Sequence, residues 1–340
     1  MPVERGVADL SVLLLHNIDP VWEPDEAGQA LREVAEFESA LRNTVSSCKT
    51  LTVRDADLAS CFRGYDPDNH IVFNWCEDIP GIPHSEAMVP QILEDLKFTY
   101  TGSSPDVLNF CWDKVKVKQL MNLRNIATPR WAVCDSLETN GWACYPAIVK
   151  PSMEHCSFGV TAEAVVRSPE ELRSRIAFIL ENFRQPALVE DFIDGREFHV
   201  TFWGNKVVEM LPPAEMDFCA FDDVRERLCT YESKFLPGSR HYEKIALKLP
   251  APLSETEYSD LQSTGEQTYR AFGCRDYARL DIRLRNGIFY VIDVNPNSDV
   301  SIEASMACAA EAAGLTYGQM IAHIIRLAAQ RHPVLGASIS

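Results

Sequence analysis

Four residues near the C-terminal end, Arg279, Asp281, Asp293 and Asn295, have the types and spacing to hold a cation beside phosphates. They lie on two strand-like runs flanking Asn286-Gly287, a hairpin signal. A two-residue loop would pair Arg285 with Ile288 and put Leu280, Ile282 and Leu284 on the same face as Asp293. A three-residue loop, Arg285-Asn286-Gly287 with the glycine left-handed, pairs Leu284 with Ile288. Leu280, Ile282 and Leu284 then face Ile292, Tyr290 and Ile288, and the other face gathers Arg279, Asp281, Asp293 and Asn295. The second register separates apolar from charged residues and is the one expected. Hard oxygen donors of this kind suit Mg²⁺, the usual companion of nucleotide phosphates. The alternative is a solvated sheet face.

Two lysines sit where ordered elements begin or end: Lys114 opens a helix and Lys150 ends a strand. Lys150 leads into Ser152, Ser157 and Gly159, a small polar loop of the kind whose backbone N–H groups cover phosphates. Neither a G-x-G-x-x-G turn nor a G-x-x-x-x-G-K-[ST] loop occurs, which disfavours those two modes of nucleotide binding.

The chain has 340 residues, and 32 Lys plus Arg stand against 49 Asp plus Glu, a net charge of −17. That balance disfavours a nucleic-acid partner, which requires a basic face, but permits a small polyanion at one charged centre. Hydrophobic residues are 46% and charged residues 24%, as in globular proteins. No run approaches the roughly 18 apolar residues of a membrane span. Val12 to Leu15 is too short for the core of a signal peptide. Eleven scattered cysteines without a C-x-x-C pair read as reduced thiols in a cytoplasmic protein.

The elements that must position these residues follow from periodicity. Leu10–Leu15, Leu51–Val53 and Ile71–Trp75 read as strands, with a helix from about Ala30 carrying Leu31, Val34, Phe37 and Leu41 on one face. That alternation predicts an open parallel α/β sheet. Val117, Leu120 and Leu123 predict a helix ending before Thr128-Pro129. Ala147–Lys150 and Ala187–Glu190 read as strands. Between them Ser168-Pro169-Glu170-Glu171 starts a helix, with Ser168 as N-cap and Glu171 closing a capping box. Its apolar face carries Leu172, Ile176, Ile179, Leu180 and Phe183. After Asp194-Gly195, Glu197–Trp203 reads as strand. An Ala-rich helix is expected from about Ile302 to Gly314.

The ordered set of motifs resembles the ATP-grasp superfamily, and most its D-alanine–D-alanine ligase branch. The matching segments are Tyr100-Thr101-Gly102-Ser103 with Asp113-Lys114, Val149-Lys150-Pro151-Ser152 through Gly159, and Leu188-Val189-Glu190 through Gly195-Arg196-Glu197. Ser233-Lys234-Phe235 and Ala278-Arg279-Leu280-Asp281 through Asp293-Val294-Asn295 follow. The resemblance implies a parallel α/β domain at residues 1–105 and two α+β subdomains, 106–193 and 194–340, clamping ATP between them. It implies Lys114 and Lys150 on the phosphates, Glu190, Phe192 and Ile193 as the adenine-side hinge, and Glu197 on the ribose. It also implies Asp281, Asp293 and Asn295 as ligands of two Mg²⁺ ions, with Mn²⁺ as a substitute. Lys234 on the γ-phosphate, Arg279 and Ser157 would serve the reaction centre. The implied activity joins an amino acid to a small acceptor through a phosphorylated intermediate, in a homodimer.

Departures from the family pattern gather on the substrate side. The usual Gly-Gly and Glu do not follow the first strand, which runs into His16-Asn17-Ile18-Asp19-Pro20. His155 and Cys156 replace Gly and Ser, Phe235 replaces Tyr, and Asp299 replaces a Gly. An acidic Asp299 would repel a carboxylate and welcome an amine or hydroxyl. These changes point away from cell-wall D-alanyl-D-alanine or D-alanyl-D-lactate synthesis. They point toward a natural-product ligase such as the mycosporine-like amino acid type, which forms an imine on a cyclohexenone core. A kinase and a non-catalytic nucleotide-binding protein are the other classes.

Overall fold

The computed structural model describes residues 11–336 apart from 43, 140, 156, 231, 234, 235 and 237. Three sheets carry the fold. The first is formed by β1 (Ser11–Asn17), β2 (Ser47–Val53), β3 (His70–Trp75) and β4 (Thr99–Tyr100), all parallel in the order β2-β1-β3-β4. The near-continuous apolar run of β1 is buried on both faces, as a central parallel strand demands. Val12 and Leu14 enter one core with Ile71 and Phe73, while Leu13 and Leu15 enter the opposite core with Val72.

Helix α1 (Pro24–Leu41) begins six residues before the expected start. Pro24 occupies the first turn, and Glu23 and Glu26 cap each other's backbone N–H groups, a signal that apolar spacing alone overlooks. Val34, Phe37 and Leu41 face the core, and Leu31 stays exposed. After α2 (Met88–Asp95), α3 (Pro105–Trp112) and α4 (Lys114–Leu123), the second sheet is antiparallel. It holds β5 (Trp131–Cys134), β6 (Ala147–Pro151), β7 (Val165–Val166) and β8 (Ala187–Asp191), in the order β5-β8-β6-β7. Helix α5 (Pro169–Asn182) covers it with Leu172, Ile176 and Ile179. Ser168 caps α5 by accepting from the Glu171 N–H, but the reciprocal half of the expected box is displaced by one residue. The Glu171 carboxylate accepts from the Arg167 N–H instead.

The third sheet is built on β9 (Arg196–Gly204). Around it stand β10 (Val208–Met210), β11 (Ala214–Asp217) and β12 (Ala246–Lys248), with α6 (Arg240–Lys244) just before β12. Helix α7 (Glu255–Ala271) packs on this sheet, followed by the hairpin β13 (Asp276–Arg285) and β14 (Ile288–Asn295). The last helices, α8 (Ser305–Ala312) and α9 (Tyr317–Ala329), return to the first sheet. Met320, Ile321, Ile324 and Ile325 share one core with Val12, Phe37 and Phe73, together with Trp203 and Tyr277 of the third sheet. The first and third sheets are therefore welded through the C-terminal helices. Each buried Ile or Phe contributes about 1.5–3 kcal/mol to that weld.

The segment 100–103 is a second weld. Gly102 donates its N–H to Asp276 (2.9 Å) and Ser103 donates its own to Asn297 (2.8 Å). Arg275 donates to the Gly102 carbonyl, and Arg331 binds the fully buried Asp276 through both carboxylate oxygens. Gly102 has φ +91, and a Cβ there would meet the Asn297 side chain at 2.5 Å, so the close approach requires glycine. No helix among the described residues is long and apolar enough to cross a membrane.

Candidate active site

A pocket opens between the second and third sheets, lined by Lys114, Lys150, Glu190, Glu197, Asp281 and Asp293 among others. Its chemistry begins with the hairpin. The expected three-residue loop is not what forms. Arg285 pairs with Ile288 across the two-residue turn Asn286-Gly287, both with positive φ (54° and 76°), the twist that Asn-Gly favours. A bulge at Ile292 then shifts the register, so that Asp281 pairs with Asp293 and Arg279 with Asn295. Leu280, Ile282 and Leu284 oppose Val294, Val291 and Phe289 in the core, rather than Ile292, Tyr290 and Ile288. The extra residue assigned to the loop lies in the bulge, and the charged face assembles as expected. Lys118 and Thr128 fill the carbonyl bonds that the bulge exposes: Lys118 Nζ donates to Ile292 O (3.0 Å) and Thr128 Oγ1 to Val291 O (2.9 Å).

On that face Arg279 grips Asp281 with two nitrogens, Nε at 2.8 Å and Nη2 at 3.1 Å. Burial alone would weaken the Arg279 charge, but Asp281 and Asp293 hold its pKa above the ordinary arginine value. Asn295 places its amide 3.4 Å from Asp281 Oδ2. Asp293, Asp281 and Asn295 form an all-oxygen donor set once the Asn295 amide turns its oxygen to the pocket, and this fits Mg²⁺. Burial would raise the Asp293 pKa, but Lys114, Lys150 and His155 hold it below the usual carboxylate range.

Lysines face these carboxylates. Lys150 Nζ lies 2.5 Å from Glu190 Oε2, and Lys118 Nζ lies 2.6 Å from Glu190 Oε1, all three side chains at least nine-tenths buried. Glu190 thus spends its carboxylate between two lysines and presents no oxygen as an isolated hinge group. Its pKa is pulled down by Lys118 and Lys150 against the opposing effect of burial. Lys150 is held above its ordinary value by Glu190 and Asp293 despite burial, whereas burial lowers Lys114, whose Nζ donates to the Glu154 carbonyl. Lys114, which pairs with no carboxylate among the described residues, is placed to gain from an arriving anion.

The far end of the pocket is built on β9. Glu197 accepts from Arg283 Nε at 2.6 Å and Nη2 at 2.5 Å, and the Arg283 guanidinium lies over the Phe192 ring at 4.6 Å. Arg283 also donates to Ile193 O (2.8 Å) and Arg227 O, tying the segment 191–193 to the loop across the pocket. Phe192 and Ile193 line the pocket and are buried. Arg283 and the attraction of His199 pull the Glu197 pKa well below the ordinary carboxylate range against burial.

On the other side, His155 stacks on Trp112 with centroids 4.2 Å apart, and His84 meets the same indole edge-on at 4.9 Å. Burial and Lys114 lower the His155 pKa to about 4, so the ring is neutral at pH 7. Ser157 has a left-handed φ of 61° and donates its hydroxyl to the Cys229 carbonyl (3.2 Å), which favours a loop-fastening role for that bond. Beyond lies the C-terminal edge of the parallel sheet, where ligands of open α/β sheets gather. Glu77, whose side chain still reaches solvent, is raised to about 7 by the loss of water around its carboxyl and by Asp299, Asp78 and Glu33, and half-buried Glu86 to about 8 by burial, Glu77 and Asp78. Asp299 thus belongs to an acidic wall. Cys156, Lys234 and Phe235 lie outside the described residues.

Sequence reasoning singled out Lys114, Lys150, Glu190, Glu197, Asp281 and Asp293, which line one pocket, and Asn295, which lies beside Asp281 on the hairpin. It missed Lys118, Arg283, His199 and Trp112. Lys118 follows Lys114 by one helical turn, and Arg283 alternates with Arg279 and Asp281 along β13, so both shared a face with residues already singled out.

The family model described as D-ala D-ala ligase C-terminus matches residues 118–326. An uncharacterised protein of Sinorhizobium fredii, y4sG, is 34% identical over 264 residues, spanning 77% of this chain and 75% of that protein. The D-alanine–D-alanine ligase of Syntrophotalea carbinolica is 30% identical over 258 residues, 72% of this chain and 75% of that enzyme. A crystal structure of the Bacillus anthracis D-alanine–D-alanine ligase complexed with ATP aligns with a TM-score of 0.73 at 19% identity, covering 95% of this chain and 98% of that one.

Proposed function

The chain belongs to the D-alanine–D-alanine ligase-like branch of the ATP-grasp superfamily, and we propose that it is an ATP-dependent ligase joining an amino acid to a small acceptor. The observation that carries this reading is the opposition of Lys114 and Lys150 to Asp281 and Asp293 across one pocket. A carboxylate is a poor electrophile, and transfer of the γ-phosphoryl group to its oxygen makes phosphate the leaving group. The acceptor nitrogen then attacks the acyl carbon, loses its proton, and phosphate departs. Lys114 and Lys150 bind the phosphate oxygens and neutralise the transferring group, while Arg279 faces the developing oxyanion. Mg²⁺ held by Asp281, Asp293 and Asn295 would supply charge neutralisation between the phosphates. Phe192 and Ile193 give the base an apolar wall and Glu197 receives the ribose. Lys234 is assigned to the γ-phosphate, and Ser157 keeps the covering loop in place.

The carboxyl groups of Glu77, Glu86 and Asp299 favour an amino acid that enters through its amine, and the Trp112–His155 stack favours an acceptor with a flat or apolar body. Those two features support a natural-product acceptor, such as the cyclohexenone of the mycosporine-like type, over a second D-alanine. There an enol oxygen would take the phosphoryl group. Incubation with ATP, Mg²⁺, amino acids and candidate acceptors tests the reading. A product equal to the two substrates less one water supports it. A product heavier by one phosphate indicates a kinase instead.

A further inference from the structure

A second set of ligating atoms lies at the β9 end of the pocket, apart from the all-oxygen face. Glu197 and His199 are two residues apart on β9 and so project to the same side. His199 Nε2 stands 3.5 Å from Glu197 Oε1 and 4.0 Å from Asp281 Oδ1, Asp281 being its cross-strand partner on β13. Cys229 reaches in from the loop across the pocket. One carboxylate oxygen of Glu197, one ring nitrogen of His199 and the Cys229 sulfur all lie within 4.8 Å of one another.

From this cluster we propose a binding site for a borderline-soft divalent cation of the Zn²⁺ class, with Glu197, His199 and Cys229 as ligands. Donor chemistry separates it from the neighbouring face. Asp281, Asp293 and Asn295 offer only oxygen, the choice of Mg²⁺, whereas a thiolate with an imidazole selects Zn²⁺. The geometry is close to what such an ion needs. With bonds of about 2.0–2.3 Å, ligands on a tetrahedron stand about 3.3–3.8 Å apart. The His199–Glu197 spacing already meets that, and the sulfur must close by about 1 Å. Binding as thiolate releases the Cys229 proton to solvent.

The surroundings hold the ligands in place. Arg283 occupies Glu197 Oε2 and leaves Oε1 toward His199, which fixes the carboxylate as the supporting shell of a metal site does. The same guanidinium binds Arg227 O, and Ser157 binds Cys229 O, so the segment carrying the thiol is anchored on both sides of the sulfur. Glu197, His199 and Cys229 all line the pocket, so an ion held by them would be open to it. The ion would stand where the proposed function puts the ribose. The regulatory consequence therefore rests on that reading: Zn²⁺ bound here excludes the nucleotide.

Cobalt makes the site visible, because thiolate ligation gives Co²⁺ a near-ultraviolet charge-transfer band and intense tetrahedral d–d bands. Titrating the full chain with Co²⁺ should give both at one ion per chain, and Zn²⁺ should bleach them. Cys229→Ser should lose the charge-transfer band, and His199→Gln should weaken Co²⁺ binding at least tenfold. Cys219→Ser, at an exposed thiol elsewhere, should leave both intact. Wild-type protein without the charge-transfer band, or Cys229→Ser retaining it, overturns the site. Far-ultraviolet circular dichroism shows that each variant is folded. Micromolar Zn²⁺ should also inhibit ADP release under excess Mg·ATP, and Cys229→Ser should relieve that inhibition at least tenfold. If wild-type protein releases no ADP under any mixture, the ligase reading fails, while the cobalt spectrum still decides the metal site.

Discussion

Lys118 is 1% exposed, and its ammonium makes a 2.6 Å ion pair with Glu190 plus bonds to Thr128 Oγ1 (2.8 Å) and Ile292 O (3.0 Å). Lys118→Met keeps the stem and removes the charge. At 2.6 Å and an effective dielectric of about 20, the gross attraction to Glu190 is about 6 kcal/mol. The desolvation that folding no longer has to overcome offsets part of it, and removing one partner of a buried pair costs a net 3–5 kcal/mol or so. At about 2–4 °C per kcal/mol, the melting midpoint should fall by roughly 6–20 °C. Glu190 would then be shared with Lys150 alone, drawing that ammonium from its ligand and raising KM for ATP. Thermal and urea unfolding of Lys118→Met, Glu190→Gln and the double variant form a cycle whose coupling should exceed about 1.5 kcal/mol. A loss under about 1 kcal/mol for Lys118→Met, or strictly additive effects, would refute the view that the triad is a single electrostatic unit.

Three further outcomes follow from the same site. Asp293→Asn keeps volume and removes the negative charge of a metal ligand, so ADP formation should fall by about 100-fold or more with the melting midpoint within a few degrees of wild type; preserved turnover counts against the metal assignment. Arg279→Lys keeps the charge but loses the two-pronged grip on Asp281. Steady-state kinetics should show a lower kcat with KM for ATP little changed, and a change confined to KM would place Arg279 in ground-state binding. Glu77 and Glu86 are raised to about 7 and about 8, so the folded chain keeps protons that the unfolded chain releases above about 4.5. Their contribution to stability is therefore full at low pH and is lost as pH rises from about 4.5 through 8. Glu86→Gln should flatten the decline in melting midpoint between pH 5 and pH 8.5, and an unchanged decline would remove Glu86 from that account.

The hairpin shows how far sequence patterning reaches. Alternation required Asp281 and Asp293 to share a face, and they do, because a register that buried either beside Leu280 would leave a charge in the core. Patterning could not decide between an extra residue in the turn and one in a bulge, since both give the same facing at the charged end. The Asn-Gly turn decided it by favouring two residues, and Lys118 with Thr128 made the bulge tenable by satisfying its carbonyls. The long-range pairings were hidden for a different reason. Arg283–Glu197 spans 86 residues, and the alternation that puts Arg283 on the face of Arg279 and Asp281 does not reveal its partner. The Trp112–His155 stack joins a helix end to a loop, and neither residue carries a periodic signal. The C-terminal helices complete the first sheet's core because their apolar faces match its uncovered side, a relation that only the assembled topology reveals.

The central claim is that this pocket spends ATP to join an amino acid to an acceptor. Its most direct test is ADP release measured together with the product's mass in wild-type protein and Asp293→Asn. The account predicts ADP release that requires both substrates, one product equal to their sum less water, and loss of both signals in the variant. ADP release with a product bearing a retained phosphate, or no ADP with any amino acid and acceptor, would contradict it.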